Sequence, residues 1–232
     1  MTKQFIFYKG GLLRFVGHLD MMRTIHRAIR RADIPIAYSQ GFNPHPIMSF
    51  ANPLGLGITG EREIMEIRLE REMSSEDCLN ALNKELPDGL HIEAVRDIPD
   101  TTPAIMSLVE AAIYRIEFPL DGKDYKTAFE TMMQKDQILI TKMGKVKGRK
   151  QMVEVDVKPW IYEYHFTAPH VLVITCCCGS VQNLKIELLT EKLYTSMEIP
   201  KAWHSEKIFR EALLAGPDKQ FYNYSDDSLW NQ

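Results

Sequence analysis

The chain has 232 residues, 45% hydrophobic and 25% charged, with a formal net charge of −3. That length has room for one large or two small domains with a buried core, and the composition is ordinary for a soluble globular protein. The weak negative balance excludes a chain that is basic all over. No apolar run approaches the roughly 18–20 residues needed to span a bilayer. The N-terminus, MTKQFIFYK, lacks the apolar core and small-residue cleavage site of a signal peptide, so a cytoplasmic protein without a membrane anchor is expected.

Charge is unevenly distributed. Residues 1–50 hold seven Lys/Arg against two Asp/Glu, and residues 51–110 hold five against thirteen. A basic end beside an acidic flank polarises a surface, and local patches steer anions more than totals do.

In chain order, residues 4–8 alternate and are rich in aromatics, as a half-buried strand is. Gly10-Gly11 marks a turn, after which residues 12–16 read as resumed extended chain. The pattern then predicts a helix from His18 to about Ala32, stopped by Asp33-Ile34-Pro35. Its polar face gathers Arg23, Arg27, Arg30 and Arg31 within a quarter to a third of the circumference. Leu19, Met22, Ile25 and Ile29 are expected on the opposite, core-facing side. Strand-like pieces at 36–38 and 47–50 flank the loop SQGFNPHP, residues 39–46. Residues 52–60 form another loop, 63–69 alternate as a strand, and Ser74 opens a second helix with Asp77 three positions on. Pro87-Asp88-Gly89 ends that helix, and 90–95 is a strand.

The order strand, helix, strand, strand, helix, strand is that of a ferredoxin-like βαββαβ unit, with an antiparallel sheet carrying helices on one face. After a linker at 97–103 the order recurs. Strands are predicted at 112–118, 138–141, 152–157, 160–166 and 171–177, and helices at 125–134 and 183–197. Residues 207–214 fit either a last strand or a short helix. The expectation is therefore an α+β protein of two tandem ferredoxin-like halves, residues 1–99 and 110–215, followed by a frayed polar tail at 216–232. The segment KMGKVKGRK, residues 142–150, holds five cations and no acid and reads as an exposed, mobile basic loop.

Candidate chemistry concentrates in residues 14–46. Arg14, Arg23, Arg27, Arg30 and Arg31 form a candidate phosphate-binding track, extended by Lys145, Lys147, Arg149 and Lys150. In the loop, the residues before proline are held out of the helical region, which fixes Asn43 and His45 as polar groups. Gly41 permits a positive φ or a close ligand approach. Tyr38, Gln40 and Phe42 complete the candidate ligand-binding set, with the aromatics as stacking surfaces of the kind used for single-stranded RNA. His18, at the helix start and turned towards the apolar side, and His26, at the border of the arginine face, suit structural roles.

No catalytic set emerges, since the G-x-S-x-G, P-loop and H-E-x-x-H patterns are all absent. His18, Asp20 and His45 are too irregularly spaced to be a strong metal set, and neither a metal nor a cofactor is expected. Cys78 stands alone on a predicted helix. Cys176, Cys177 and Cys178 are contiguous, so on a strand they point to alternate faces and make a poor metal cage.

The run KGGLLRFVGHLDMMRTIHRAIRRADIPIAYSQGFNPHPIMSFANPLGLGITGEREIMEIRL, with VDVKP further on, resembles a radical SAM-linked bacterial domain of unknown function. That domain occurs alone or fused behind a radical SAM enzyme. The resemblance implies a partner radical SAM enzyme, and the chain itself lacks the C-x₃-C-x₂-C spacing of such enzymes. The leading expectation is a non-catalytic accessory protein that binds RNA or another phosphate-rich substrate. Tandem ferredoxin-like domains also look like the CRISPR repeat-processing endonucleases, metal-independent RNases using a histidine general acid or base, for which His18 and His45 are the candidates. A protein-interaction scaffold is the third reading.

Overall fold

A computed structural model describes residues 1–146, 148–200, 205–216 and 221–226, with backbone only at 145 and 146. The protein is a mixed α+β structure built on one large, mostly antiparallel sheet. The first strands are β1 (Thr2–Lys9), β2 (Met48–Phe50), β3 (Thr59–Arg68) and β4 (Leu90–Ile98), with helices α1 (His18–Arg31) and α2 (Ser75–Glu85) between them. A short α3 (Ile105–Leu108) leads into β5 (Val109–Glu117), α4 (Tyr125–Gln134), β6 (Leu139–Val146) and β7 (Arg149–Asp156). Then follow β8 (Ile161–Ala168), β9 (Val171–Cys177), α5 (Ile186–Ser196), β10 (Lys207–Ala215) and β11 (Tyr222–Asn223).

The central path of the sheet is β4-β1-β3-β10-β5-β9-β8, with β2 on β3 and β11 on β10. Along the path every pairing is antiparallel except β3 with β10, which run parallel at Phe209↔Thr59 and Arg210↔Gly60. β6 and β7 form a separate two-stranded hairpin.

Apolar spacing explains the packing. Met21, Ile25, Ala28 and Ile29 recur at three- and four-residue intervals, so α1 lays one stripe on Phe5, Phe7, Met65 and Ile67 of the sheet. Ser74 accepts the Asp77 amide and starts α2, which buries Cys78 and Leu82 in the same cluster. The other large cluster forms where Phe129 and Met132 of α4 and Leu189, Leu193 and Tyr194 of α5 meet Ala112, Tyr114, Ile116, Leu172 and Ile174.

Several expectations are corrected. Residues 12–16 do not resume an extended run: Gly11–Phe15 is a 3₁₀ turn. Leu19 is 67% exposed and Met22 only half-buried, because Leu19 precedes Arg23 by four residues and so shares its face. Met21 takes the core place. Residues 142–150 are mainly strand rather than loop, since Leu139 to Val146 pairs in register with Asp156 to Arg149. The described part of the tail, residues 221–226, is tied to the sheet: Tyr222 and Asn223 pair with Ala215 and Leu214, and Tyr224 and Ser225 are buried, while residues 217–220 lie outside the described residues. Residues 227–232 lie outside the described residues. Residues 207–214 are strand, part of β10.

Candidate functional site

The loop after α1 is anchored before it is presented. Ala37 N donates to Arg68 O, Ile47 N to Ala37 O, and Tyr38 bridges Pro46, so both ends of the loop are tied together on the edge of β3. Within it, Ser39 N donates to His45 O at 2.9 Å, and His45 N donates to Ser39 Oγ at 3.1 Å. The Ser39 hydroxyl also lies 2.8 Å from His45 Nδ1. The His45 ring is therefore held by one nitrogen. Gly41 adopts φ +124°, the positive region expected of it, and Gln40 through His45 are exposed. Phe42 is 106% exposed. A fully exposed phenyl ring at the tip of a doubly tied loop is available for stacking.

His45 also borders a groove of about 290 Å³ with Thr2, Met48, Ser49, Glu66 and Arg68. Glu66 is buried and accepts the Ile105 amide at 3.2 Å. Burial pushes its carboxyl above the usual range, opposed by hydrogen bonds from Ile105, Gln4 and Ser49.

The arginines of α1 do not behave alike. Arg23, Arg27 and Arg30 are exposed on one face. Arg23 pairs with Asp20 at 3.0 Å on the surface, where such a pair is weak, and Arg27 Nε bonds the Arg23 carbonyl. Arg31 is committed elsewhere: its Nε meets Glu85 Oε2 at 2.7 Å and an NH2 donates to Glu85 O at 2.6 Å, so it caps α2. Arg14 is half-buried, with its guanidinium 4.7 Å over the Phe15 ring, and does not continue the stripe. Arg149 and Lys150 are exposed on β7. Lys147 and the side chain of Lys145 lie outside the described residues.

His26 joins helix and loop. Its Nε2 lies 3.0 Å from the Tyr38 hydroxyl. Burial, then the nearby Arg30 charge, lowers the affinity of this imidazole for a proton. Tyr38 is thus half-buried and engaged, and of the two aromatics expected as stacking surfaces Phe42 is the open one.

His18 lies edge-on to Phe50, ring centroids 5.2 Å apart, and its Nδ1 is buried without a hydrogen bond among the described residues. Burial, then Lys9, depresses its pKa below the ordinary value of 6.5. His18 and His45 line different cavities, and the Asp20 carboxylate bonds Arg23. The His18, Asp20, His45 trio is not assembled, and no cluster of three or more potential metal ligands occurs among the described residues. The cysteine triplet is buried, and burial raises the Cys176 and Cys178 thiols, away from thiolate chemistry.

Sequence reasoning missed a buried charged cluster between the two apolar cores. Arg210, 2% exposed, donates from Nε to Glu63 Oε1 at 2.8 Å and from NH2 to Asn52 O at 2.7 Å. Glu63 and Lys9 are buried beside it. The only signal in the sequence was a charge at an inward position of each strand.

No helix among the described residues is long and apolar enough to cross a membrane. A search of curated proteins finds no match. The family model described as "Uncharacterized protein conserved in bacteria (DUF2344)" matches residues 4–186, which takes in α1, the loop and the buried Lys9 and Glu63. The chain belongs to that bacterial family.

Proposed function

We propose that the protein is a non-catalytic module that binds RNA through the exposed face of α1 and the 39–46 loop. The observation that carries this reading is the placing of Arg23, Arg27 and Arg30 on one solvent face, with the loop that displays Phe42 tied to the same helix through His26 and Tyr38. Guanidinium groups neutralise phosphates, while Phe42, Asn43 and His45 stack on and hydrogen-bond a base. Arg149 and Lys150 on the hairpin extend the cationic surface.

Two tandem ferredoxin-like halves, residues 1–99 and 110–215, carry this surface. The strand order supports the reading: β4-β1-β3-β2 in the first half and β10-β5-β9-β8 in the second repeat one arrangement, with the β6–β7 hairpin inserted before β8. The resemblance to the radical SAM-linked domain supplies the partner, an enzyme for which this module holds the substrate. Leu12, Phe15 and Leu19, respectively 85%, 58% and 67% exposed, suit contact with that partner more than with RNA.

The test is binding of a fluorescently labelled single-stranded RNA across salt concentrations. Three phosphate contacts correspond to a log–log slope of about −2, at roughly −0.7 per contact. An affinity that does not change with salt rejects the phosphate reading. Cleavage of the RNA that is lost in His45→Ala points instead to the nuclease alternative.

A further inference from the structure

A cavity of about 460 Å³ opens where the two halves meet. Its walls come from the 52–58 loop, the start of α5 and β10. The apolar part is Pro53, Leu54, Leu56 and Ile58, and the polar part includes Asn52, Asn183 and Lys185. The volume falls in the range of small-molecule sites, roughly 300–1,000 Å³, and the mixed lining is typical of them.

Charge decides what such a cavity would hold. Arg210 forms part of its inner wall, and Lys9 lies behind it across Asn52 and Leu54, in an adjoining space too tight for a water molecule. Both cations are at most 2% exposed, and between them stands one buried carboxylate, Glu63. Glu63 is bonded to Arg210, while Lys9 Nζ donates to the uncharged Val16 carbonyl at 3.0 Å. Lys185, exposed at the cavity's edge, adds a cation, and Glu187 on the same wall adds a carboxylate beside Gly55. Counted together, Lys9, Arg210 and Lys185 oppose Glu63 and Glu187, which leaves an excess of one positive charge around a concave, low-dielectric space. Buried cations without matched anions are costly, and concave walls focus the field into the cavity.

We propose that this cavity binds a small organic anion, a carboxylate or phosphate ester whose acidic group faces Lys185, Asn183 and Arg210 and whose apolar body rests on Leu54, Leu56 and Ile58. The site is separate from the α1 surface proposed for RNA. A bare inorganic ion would leave the apolar wall unfilled.

Isothermal titration calorimetry on the whole protein tests this with four probes: adenosine 5′-monophosphate, phenylacetate, inorganic phosphate and adenosine. At least one of the first two binds tenfold or more tightly than both phosphate and adenosine. The nucleotide and the carboxylate arms separate the two ligand sources. Leu56→Trp fills the cavity from an exposed position, and Lys185→Glu reverses its edge charge. Each lowers that affinity at least tenfold while the thermal melt stays that of the native chain. Arg27→Glu abolishes RNA binding and leaves the small-anion affinity unchanged, so the two proposals stand or fall apart. The inference is overturned if neither organic anion binds, or if binding persists in both cavity variants.

Discussion

The His26 imidazole and the Tyr38 hydroxyl, 3.0 Å apart, are the point at which the arginine helix is fastened to the loop that follows it. His26 is at one border of the exposed face of α1, with Arg30 four residues on and on the same side. The opposite border is held by Arg31, which reaches across to α2. Between these two attachments Arg23, Arg27 and Arg30 remain facing solvent.

Tyr38→Phe removes this attachment with little change in packing. Losing one hydrogen bond costs about 1 kcal/mol. RNA affinity falls while the salt slope keeps its value, because no phosphate contact has been deleted. Anisotropy titrations at several salt concentrations beside a urea melt separate the two effects; a changed slope would place Tyr38 in contact with the phosphates.

Arg27→Ala and Arg30→Ala weaken binding of all RNA sequences about equally, and each reduces the salt slope by roughly 0.7. Exposed helix substitutions of this kind shift stability by less than about 0.5 kcal/mol. Asn43→Ala and His45→Ala instead alter preference among RNAs. A panel of oligonucleotides of different sequence checks this, and uniform weakening by His45→Ala would reduce the loop to a scaffold.

Ile29→Ala and Leu19→Ala make a matched pair on the same helix. Ile29 is fully buried and its truncation costs on the order of 2–5 kcal/mol, whereas Leu19 is exposed and its truncation costs less than about 0.5 kcal/mol. Equal losses in chemical denaturation would mean that Leu19 is covered in solution by a second surface.

Glu63→Ala leaves Arg210, 2% exposed, without its carboxylate. Breaking a buried pair by removing one partner costs roughly 3–5 kcal/mol, so this single change threatens the contact between β3 and β10. Equilibrium denaturation measures it. A loss below about 1 kcal/mol would mean that water reaches the guanidinium.

The pH dependence follows from His18 and His26, whose folded pKa values are both depressed below 6.5, chiefly by burial. The unfolded chain then binds protons more readily than the folded one. Their contribution to stability is present above pH 6.5 and is lost as pH falls through the lower folded values. His18→Gln removes part of that decline. The difference in melting temperature between variant and native protein, followed from pH 8 to pH 5, narrows towards the acid end. A difference that stays constant would mean that His18 does not titrate differently on folding.

Much of this protein follows from local pattern. The three- and four-residue recurrence of Met21, Ile25, Ala28 and Ile29 makes an amphipathic helix wherever the chain is folded, and the same recurrence brings Arg23, Arg27 and Arg30 together. Asn43-Pro44 and His45-Pro46 restrict their own backbone, so the rigidity of the loop is written in adjacent residues. What neighbours in sequence cannot decide is which charges find partners. Arg31 and Arg30 are consecutive cations, yet only Arg31 meets Glu85, because α2 packs on that side. The basic 142–150 stretch resembles a loop in composition, but it becomes a hairpin through cross-strand pairing to residues up to 11 positions away, such as Lys142 with Val153. The Glu63–Arg210 pair spans 147 positions and exists only because β3 and β10 lie side by side. Helix faces and turn geometry are short-range properties of the chain. Burial and charge pairing depend on the solvent exclusion that assembly alone creates, so only the tertiary structure decided them.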